Sequence, residues 1–248
     1  MTRQVEHAVH VRLDDGTAVV TIGRGQRRNA LAAGDWHELA CQVESLSGQS
    51  SLRAVLVRGA GNTFCAGSDM AGWVGATPEA VEDSFAHMER AFRAIEACPV
   101  PVIAEIRGVA AGAGCQLALA CDLRVMAESA RIGMPIARLG ILPSPAFAAR
   151  LVRACGSACA AELLYTGRLL RARDALVAGL TTACVPDDCL TDRVSELLVD
   201  TIRHPPAAVR AAKRAIAEAT PPVPRHNLGP AVAYEEFQHG IAHFLSRT

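Results

Sequence analysis

The run Ile106-Arg107-Gly108-Val109-Ala110-Ala111-Gly112-Ala113-Gly114-Cys115-Gln116-Leu117-Ala118-Leu119-Ala120-Cys121-Asp122 decides how this chain is read. It follows Val102-Ile103-Ala104, an apolar segment of strand character, and Cys115 to Ala120 reads as a helix. Between them, Gly108 to Gly114 is small and reads as flexible. A loop that runs into a helix leaves the first backbone N–H groups without intrahelical partners, pointing at whatever sits there. The glycines do not fit G-x-G-x-x-G, and no acidic residue stands at the distance a dinucleotide site needs. Taken alone, the run reads more readily as a tightly packed strand–helix turn than as an active site.

A second run changes the balance. Asn62-Thr63-Phe64-Cys65-Ala66-Gly67-Ser68-Asp69-Met70 also follows a strand, Ala54 to Val57. Two N–H groups brought from different loops can hold one oxygen, which is the physical recipe for an oxyanion hole. Working outward, Arg27-Arg28-Asn29-Ala30-Leu31 precedes both runs. Gly133-Met134-Pro135, Leu139-Gly140-Ile141-Leu142-Pro143, Tyr165-Thr166-Gly167-Arg168 and Ala172-Arg173-Asp174-Ala175 follow them. Each motif is weak; the ordered set, covering most of the chain, resembles the crotonase (enoyl-CoA hydratase/isomerase) superfamily.

That resemblance implies an α/β fold with a crotonase (ClpP/crotonase-type) ββα spiral core over residues 1–185. It implies a helical C-terminal region, 186–248, for oligomerisation and active-site cover. The ligand it implies is an acyl-CoA thioester, with coenzyme A entering as part of the substrate and no separate cofactor or metal. The thioester carbonyl would accept the backbone N–H groups of Ser68 and Ala113. The family commonly has glycine at the second position, and alanine keeps the donor. Coenzyme A would lie along Ala66, Gly67 and Asp69, with Arg27 and Arg28 as anion contacts. Met70, Ile136 and Ser144 would border the acyl pocket. A homotrimer or homohexamer is the implied assembly.

The pattern breaks where hydration chemistry should sit. A hydratase of this family uses two carboxylates to position water and move its proton. Gln116 and Ile136 occupy those places, and no Asp or Glu lies between Arg131 and Ala161. Gln116 can orient water but cannot serve as a base. Double-bond isomerisation is weakened by the same loss. Enolate stabilisation survives, so decarboxylation of a malonyl-type thioester fits, with Ser68 placed to contact its carboxylate. A nominal hydratase or isomerase with altered activity, and a silent acyl-CoA-binding or partner subunit, stand as alternatives. Cys65 and Cys115 lie in the motif runs without a base partner. Tyr234, His239 and His243, on the last helix, are the nearest proton sources the sequence offers.

The rest of the chain agrees with a globular enzyme. Its 248 residues suffice for one large α/β domain with a core. Twenty-five basic residues balance 25 acidic ones, so nothing predicts a nucleic acid or membrane partner. The nine cysteines, an odd number, suit reduced thiols, and Cys155/Cys159 and Cys184/Cys189 lack the C-x-x-C spacing of zinc sites. The polar start lacks a signal-peptide h-region and no run is long enough to span a bilayer, which predicts a soluble, cytoplasmic protein.

Val9 to Leu13 and Val19 to Ile22 flank Asp14-Asp15-Gly16 as a hairpin. Helical spacing covers Asp35 to Leu46 and Pro78 to about Ala97, and Leu123 to Met126 reads as a strand, so the sheet should be largely parallel. After Pro145 come helices at Ala148 to Ala154, Cys159 to Tyr165, Arg173 to Ala178, Leu190 to Ile202, Pro206 to Ala219 and Ala231 to Leu245.

Overall fold

Asp15 and Gly16, both at positive φ (41° and 77°), turn the opening hairpin of β1 (Val9–Asp14) and β2 (Thr17–Ile22). Two left-handed residues suit the right-handed twist of the strands they join. In this computed structural model, which describes residues 7–225 and 229–246, the hairpin forms one end of a six-stranded sheet. β3 (Ala54–Gly59), β4 (Val102–Ile106), β6 (Leu123–Ala127) and β9 (Ala183–Val185) follow β2 in that spatial order, each parallel to its neighbour. The near-continuous apolar runs of β3 and β4 are what strands covered on both faces require.

Two helices pack on one another beside the sheet. α1 (Ala33–Ser47) begins where Asp35 accepts the Ala32 N–H at 2.9 Å while Arg24 grips the same carboxylate at 2.8 and 3.1 Å. α2 (Pro78–Ala97) is capped by the Thr77 hydroxyl and carries Pro78 in its first turn, where proline costs no hydrogen bond. Its Val81, Phe85, Met88, Phe92 and Ile95 recur every three or four residues and are buried. Phe92 meets Trp36 of α1 edge-on, with ring centroids 5.5 Å apart.

Gly108 to Gly114, flexible by composition, holds a paired strand at its centre. β5 (Val109–Ala111) pairs parallel with β7 (Arg131–Gly133), which pairs antiparallel with β8 (Leu169–Arg171), forming a second, three-stranded sheet. The glycines here answer to close approach: a Cβ on Gly114 would lie 2.0 Å from the Cys65 carbonyl oxygen. α3 (Ala113–Ala120) leaves β5 after the single residue Gly112, at φ 55° and ψ −120°.

Past Pro145 the two expected helices run together as α4 (Pro145–Thr166), kinked at Gly156 (φ 73°, ψ 166°). α5 (Ala172–Val177), α6 (Leu190–Ile202), α7 (Pro206–Ala219) and α8 (Tyr234–Leu245) complete the chain. α7 is tied to the core by the chain's only lysine: Lys213 Nζ donates to the Val100 carbonyl at 2.9 Å and to Asp122 at 2.7 Å. α8 starts at Tyr234, not at Ala231. Val232 bridges Ile141 antiparallel, and the Ala231 N–H donates to Glu82 at 2.6 Å, so this backbone is held extended before the helix begins. Among the described residues, no helix is long and apolar enough to cross a membrane.

Candidate active site

The three motif segments are stitched into one ladder. Ala66 N–H donates to Arg28 O, Leu31 N–H to Gly67 O and Asp69 N–H to Leu31 O, each at 2.9 Å. On the other side Cys65 N–H donates to Val109 O at 2.9 Å and Ala111 N–H to Cys65 O at 3.0 Å. The middle segment therefore lies between the other two, which is why three weak motifs occur as a set.

Asn29, which sequence reasoning passed over as part of a motif, holds one end of this ladder. It is buried, and its amide donates to Ala60 O (2.9 Å), Thr63 O (2.6 Å) and Phe64 O (3.3 Å) while accepting the Gly25 N–H at 2.9 Å. Arg27, Arg28 and Asn29 all adopt left-handed backbone (φ 45°, 53°, 57°), a conformation costing roughly 1–2 kcal/mol per residue. Asparagine bears that conformation best, and Gly23 and Gly59 leave room for its side chain.

Parallel pairing fixes which way Ser68 faces. In its bridge with Leu31, Gly67 O and Asp69 N–H point toward Leu31, so the Ser68 N–H points away. No acceptor among the described residues takes it. Ala113 is the first residue of α3, and its N–H likewise has no partner there. Gly67 is where the two loops meet: a Cβ on it would lie 3.4 Å from Ala113 N and 2.9 Å from Ala111 O.

Ser68 and Ala113 line one small cavity of about 50 Å³. Met70, Trp73, Phe85, Met88, Ile136 and Phe147 supply most of its remaining side-chain wall, and none of its lining residues titrates near neutral pH. The Ser68 hydroxyl accepts from Trp36 Nε1 at 3.2 Å and donates to the Met88 sulfur at 2.9 Å. A thioether is a weak acceptor, so that proton is available to a better one.

Several residues singled out in the sequence stand elsewhere. Gln116 does not line the cavity; it is fully buried, and its Nε2 donates to Phe147 O at 3.2 Å while its Oε1 has no hydrogen-bond partner. Ser144 does not line it either. It caps α4 by accepting the Phe147 N–H at 3.2 Å, and faces an adjoining groove. Met70 and Ile136 do line the cavity. Tyr234 gives its hydroxyl proton to Ala76 O at 2.5 Å, and His239 and His243 are exposed, so α8 contributes Phe237, against Trp73, instead of a proton donor. Burial pushes the Cys65 and Cys115 thiols up to about 12, which leaves neither as a thiolate near neutral pH.

Residues 12–235 match the enoyl-CoA hydratase/isomerase family. The chain belongs to that family. It is 36% identical over 200 residues to a Bacillus subtilis protein named for the enoyl-CoA hydratase/isomerases, covering 80% of this chain and 77% of that one. It is 32% identical over 202 residues to the 2,3-dehydroadipyl-CoA hydratase of Escherichia coli, with 80% and 77% covered. The crystal structure of an enoyl-CoA hydratase from Mycobacterium avium subsp. paratuberculosis superposes with a TM-score of 0.88 at 28% identity, covering 97% of this chain and 96% of that one.

On the coenzyme A side that this family implies, the two arginines differ. Arg27 is committed to Asp69 at 2.7 Å, and Asp69 also accepts the Ala71 N–H at 3.1 Å to start the turn Met70–Trp73. The Arg28 guanidinium is exposed and has no polar partner among the described residues.

Proposed function

We propose that this enoyl-CoA hydratase/isomerase family protein holds a thioester carbonyl on the Ser68 and Ala113 N–H groups and decarboxylates a short malonyl-type acyl-CoA. One observation carries the reading: among the described residues, no titratable side chain lines the cavity beside those donors. Hydration needs a base on water, and isomerisation needs a group to carry a proton between carbons. Decarboxylation needs neither at the bond-breaking step. The bond between the α-carbon and the carboxylate breaks, its electron pair forms the enolate, and CO₂ leaves. The two backbone dipoles stabilise the charge that reaches the thioester oxygen.

The apolar wall favours the same outcome, because a carboxylate set among Ile136, Trp73 and Phe85 exchanges its charge for a neutral gas. Ser68 orients that carboxylate by turning its hydroxyl from Met88 toward it. A water entering behind CO₂ returns one proton to carbon and gives the acyl-CoA product, and the hydroxide left over combines with the released CO₂ as bicarbonate. Arg28 takes a coenzyme A phosphate. Assembly into three or six copies belongs to this reading, and Val199 and Ile216, exposed on α6 and α7, are surface for it; light scattering measures it.

The experiment is incubation with malonyl-, methylmalonyl- and enoyl-CoA, followed by mass spectrometry. Loss of CO₂ from a malonyl-type thioester, with no water added to enoyl-CoA, is the expected result. Hydration of enoyl-CoA at enzymatic rates overturns the reading. Binding without any turnover replaces it with a silent acyl-CoA-binding protein.

A further inference from the structure

The small cavity has a neighbour. A groove of about 260 Å³ runs along Phe85, Leu142, Pro143, Phe147 and Pro230, with Glu89 the one charged residue among the described residues that line it. Phe85 and Phe147 line both spaces. Their rings lie side by side, 6.5 Å between centroids and 31° apart in plane, and so stand between cavity and groove.

Both rings are held from behind. Phe85 stacks on Trp73 at 5.5 Å and 10°, and Phe147 meets Phe92 edge-on at 6.1 Å. Phe147 is further fixed through its backbone, whose N–H goes to the Ser144 cap and whose carbonyl takes the Gln116 amide. The orphaned Gln116 oxygen marks the cost of that grip: the amide serves Phe147 with one end and leaves the other unmet.

We infer that Phe147, backed by Phe85, is the residue that sets acyl-chain length in this protein. The inference rests on the acyl-CoA reading above and adds the substrate class. A volume of about 50 Å³ holds on the order of two water-sized groups, so the closed partition admits an acyl group of two or three carbons. The groove behind it is a preformed channel for a longer chain, shut off by these two aromatic rings. Its single carboxylate, Glu89, is matched by Arg150 (2.9 Å) and Arg93 (2.8 Å), so the channel suits an uncharged alkyl tail and not one ending in a second carboxylate.

The test uses the full chain and ketone thioethers of coenzyme A, which keep the carbonyl but lack the thioester: acetonyl-CoA and homologues with progressively longer alkyl tails. Calorimetry on the parent protein is expected to show affinity falling at least about tenfold from the shortest to the longest. Phe147→Leu opens the partition without emptying it, and in that variant the longest homologue is expected to bind within about threefold of acetonyl-CoA. Phe85→Leu gives the same shift by the other ring, and circular dichroism verifies that each variant is folded. Equal binding of short and long homologues by the parent overturns the inference alone, as does an unchanged ratio in both folded variants. Binding of no homologue overturns the acyl-CoA reading and this inference with it.

Discussion

Replacing Ala113 with proline isolates one donor of the proposed oxyanion site. Ala113 opens α3, and the first helical position is where proline is favoured because its missing N–H would go unbonded within the helix anyway. The preceding residue must avoid the right-handed helical region, and Gly112 at φ 55°, ψ −120° does. The Ala113 N–H serves no acceptor among the described residues, so no internal hydrogen bond is lost. Thermal melting should therefore be nearly unchanged.

Catalysis should not survive so well. Removing one donor from such a site costs about 2.7–4 kcal/mol, or roughly 100- to 1,000-fold in turnover. Affinity for acetonyl-CoA should fall as well, because the proline Cδ stands where the N–H pointed and crowds the carbonyl. Ala113→Ser, which keeps the N–H, should stay near the parent. The assay is release of CO₂ from malonyl-CoA under saturating substrate. Turnover within about threefold of the parent, in a variant that melts normally, would refute the assignment of this N–H.

Asn29→Ala removes an amide from four backbone partners and places alanine at φ 57°. Unmet buried groups cost about 1–3 kcal/mol each, so a loss of roughly 3 kcal/mol or more is expected in denaturant unfolding. The double variant Gln116→Glu, Ile136→Glu introduces two carboxylates but buries them among aromatic and aliphatic walls. It should melt lower and still fail to hydrate crotonyl-CoA, as followed by loss of enoyl absorbance. Alkylation of the native protein near neutral pH should reach exposed Cys41 well before Cys65, Cys115 and Cys121, whose thiols burial raises to about 12; peptide mapping reads the order, and early labelling of Cys115 would count against the packing of α3.

Much of this architecture is legible in the residues, for reasons of period and punctuation. α2 shows itself through Thr77-Pro78, an apolar stripe from Val81 to Ile95, and Pro99. β3 and β4 show as apolar runs. The second sheet does not, because Val109–Ala111, Arg131–Gly133 and Leu169–Arg171 are three residues each, too short for alternation to register. The kinked α4 reads as two helices because Gly156 interrupts the pattern without ending the hydrogen-bonded rod.

At the site, Ser68 and Ala113 share one cavity wall, and neighbouring glycines and a helix start mark both segments in the sequence. Side-chain destinations carry no such mark. Ser144 was expected at the pocket wall and caps a helix; Gln116 was expected to orient water and instead donates to the Phe147 carbonyl. Phe85 and Phe147 form one partition yet sit on separate helices, a pairing that only tertiary packing reveals.

Lys213 has a consequence beyond docking α7. Thioesters acylate free amines without help from an enzyme, and lysine is the usual casualty. This chain presents a single lysine, its ammonium already directed at a carbonyl and a carboxylate rather than at solvent. A protein that spends its life beside activated acyl groups thus exposes almost no side-chain nucleophile of that kind. The same scarcity makes Lys213 a one-site reporter: the rate at which an amine-reactive tag finds it measures how often α7 lifts from the body of the protein.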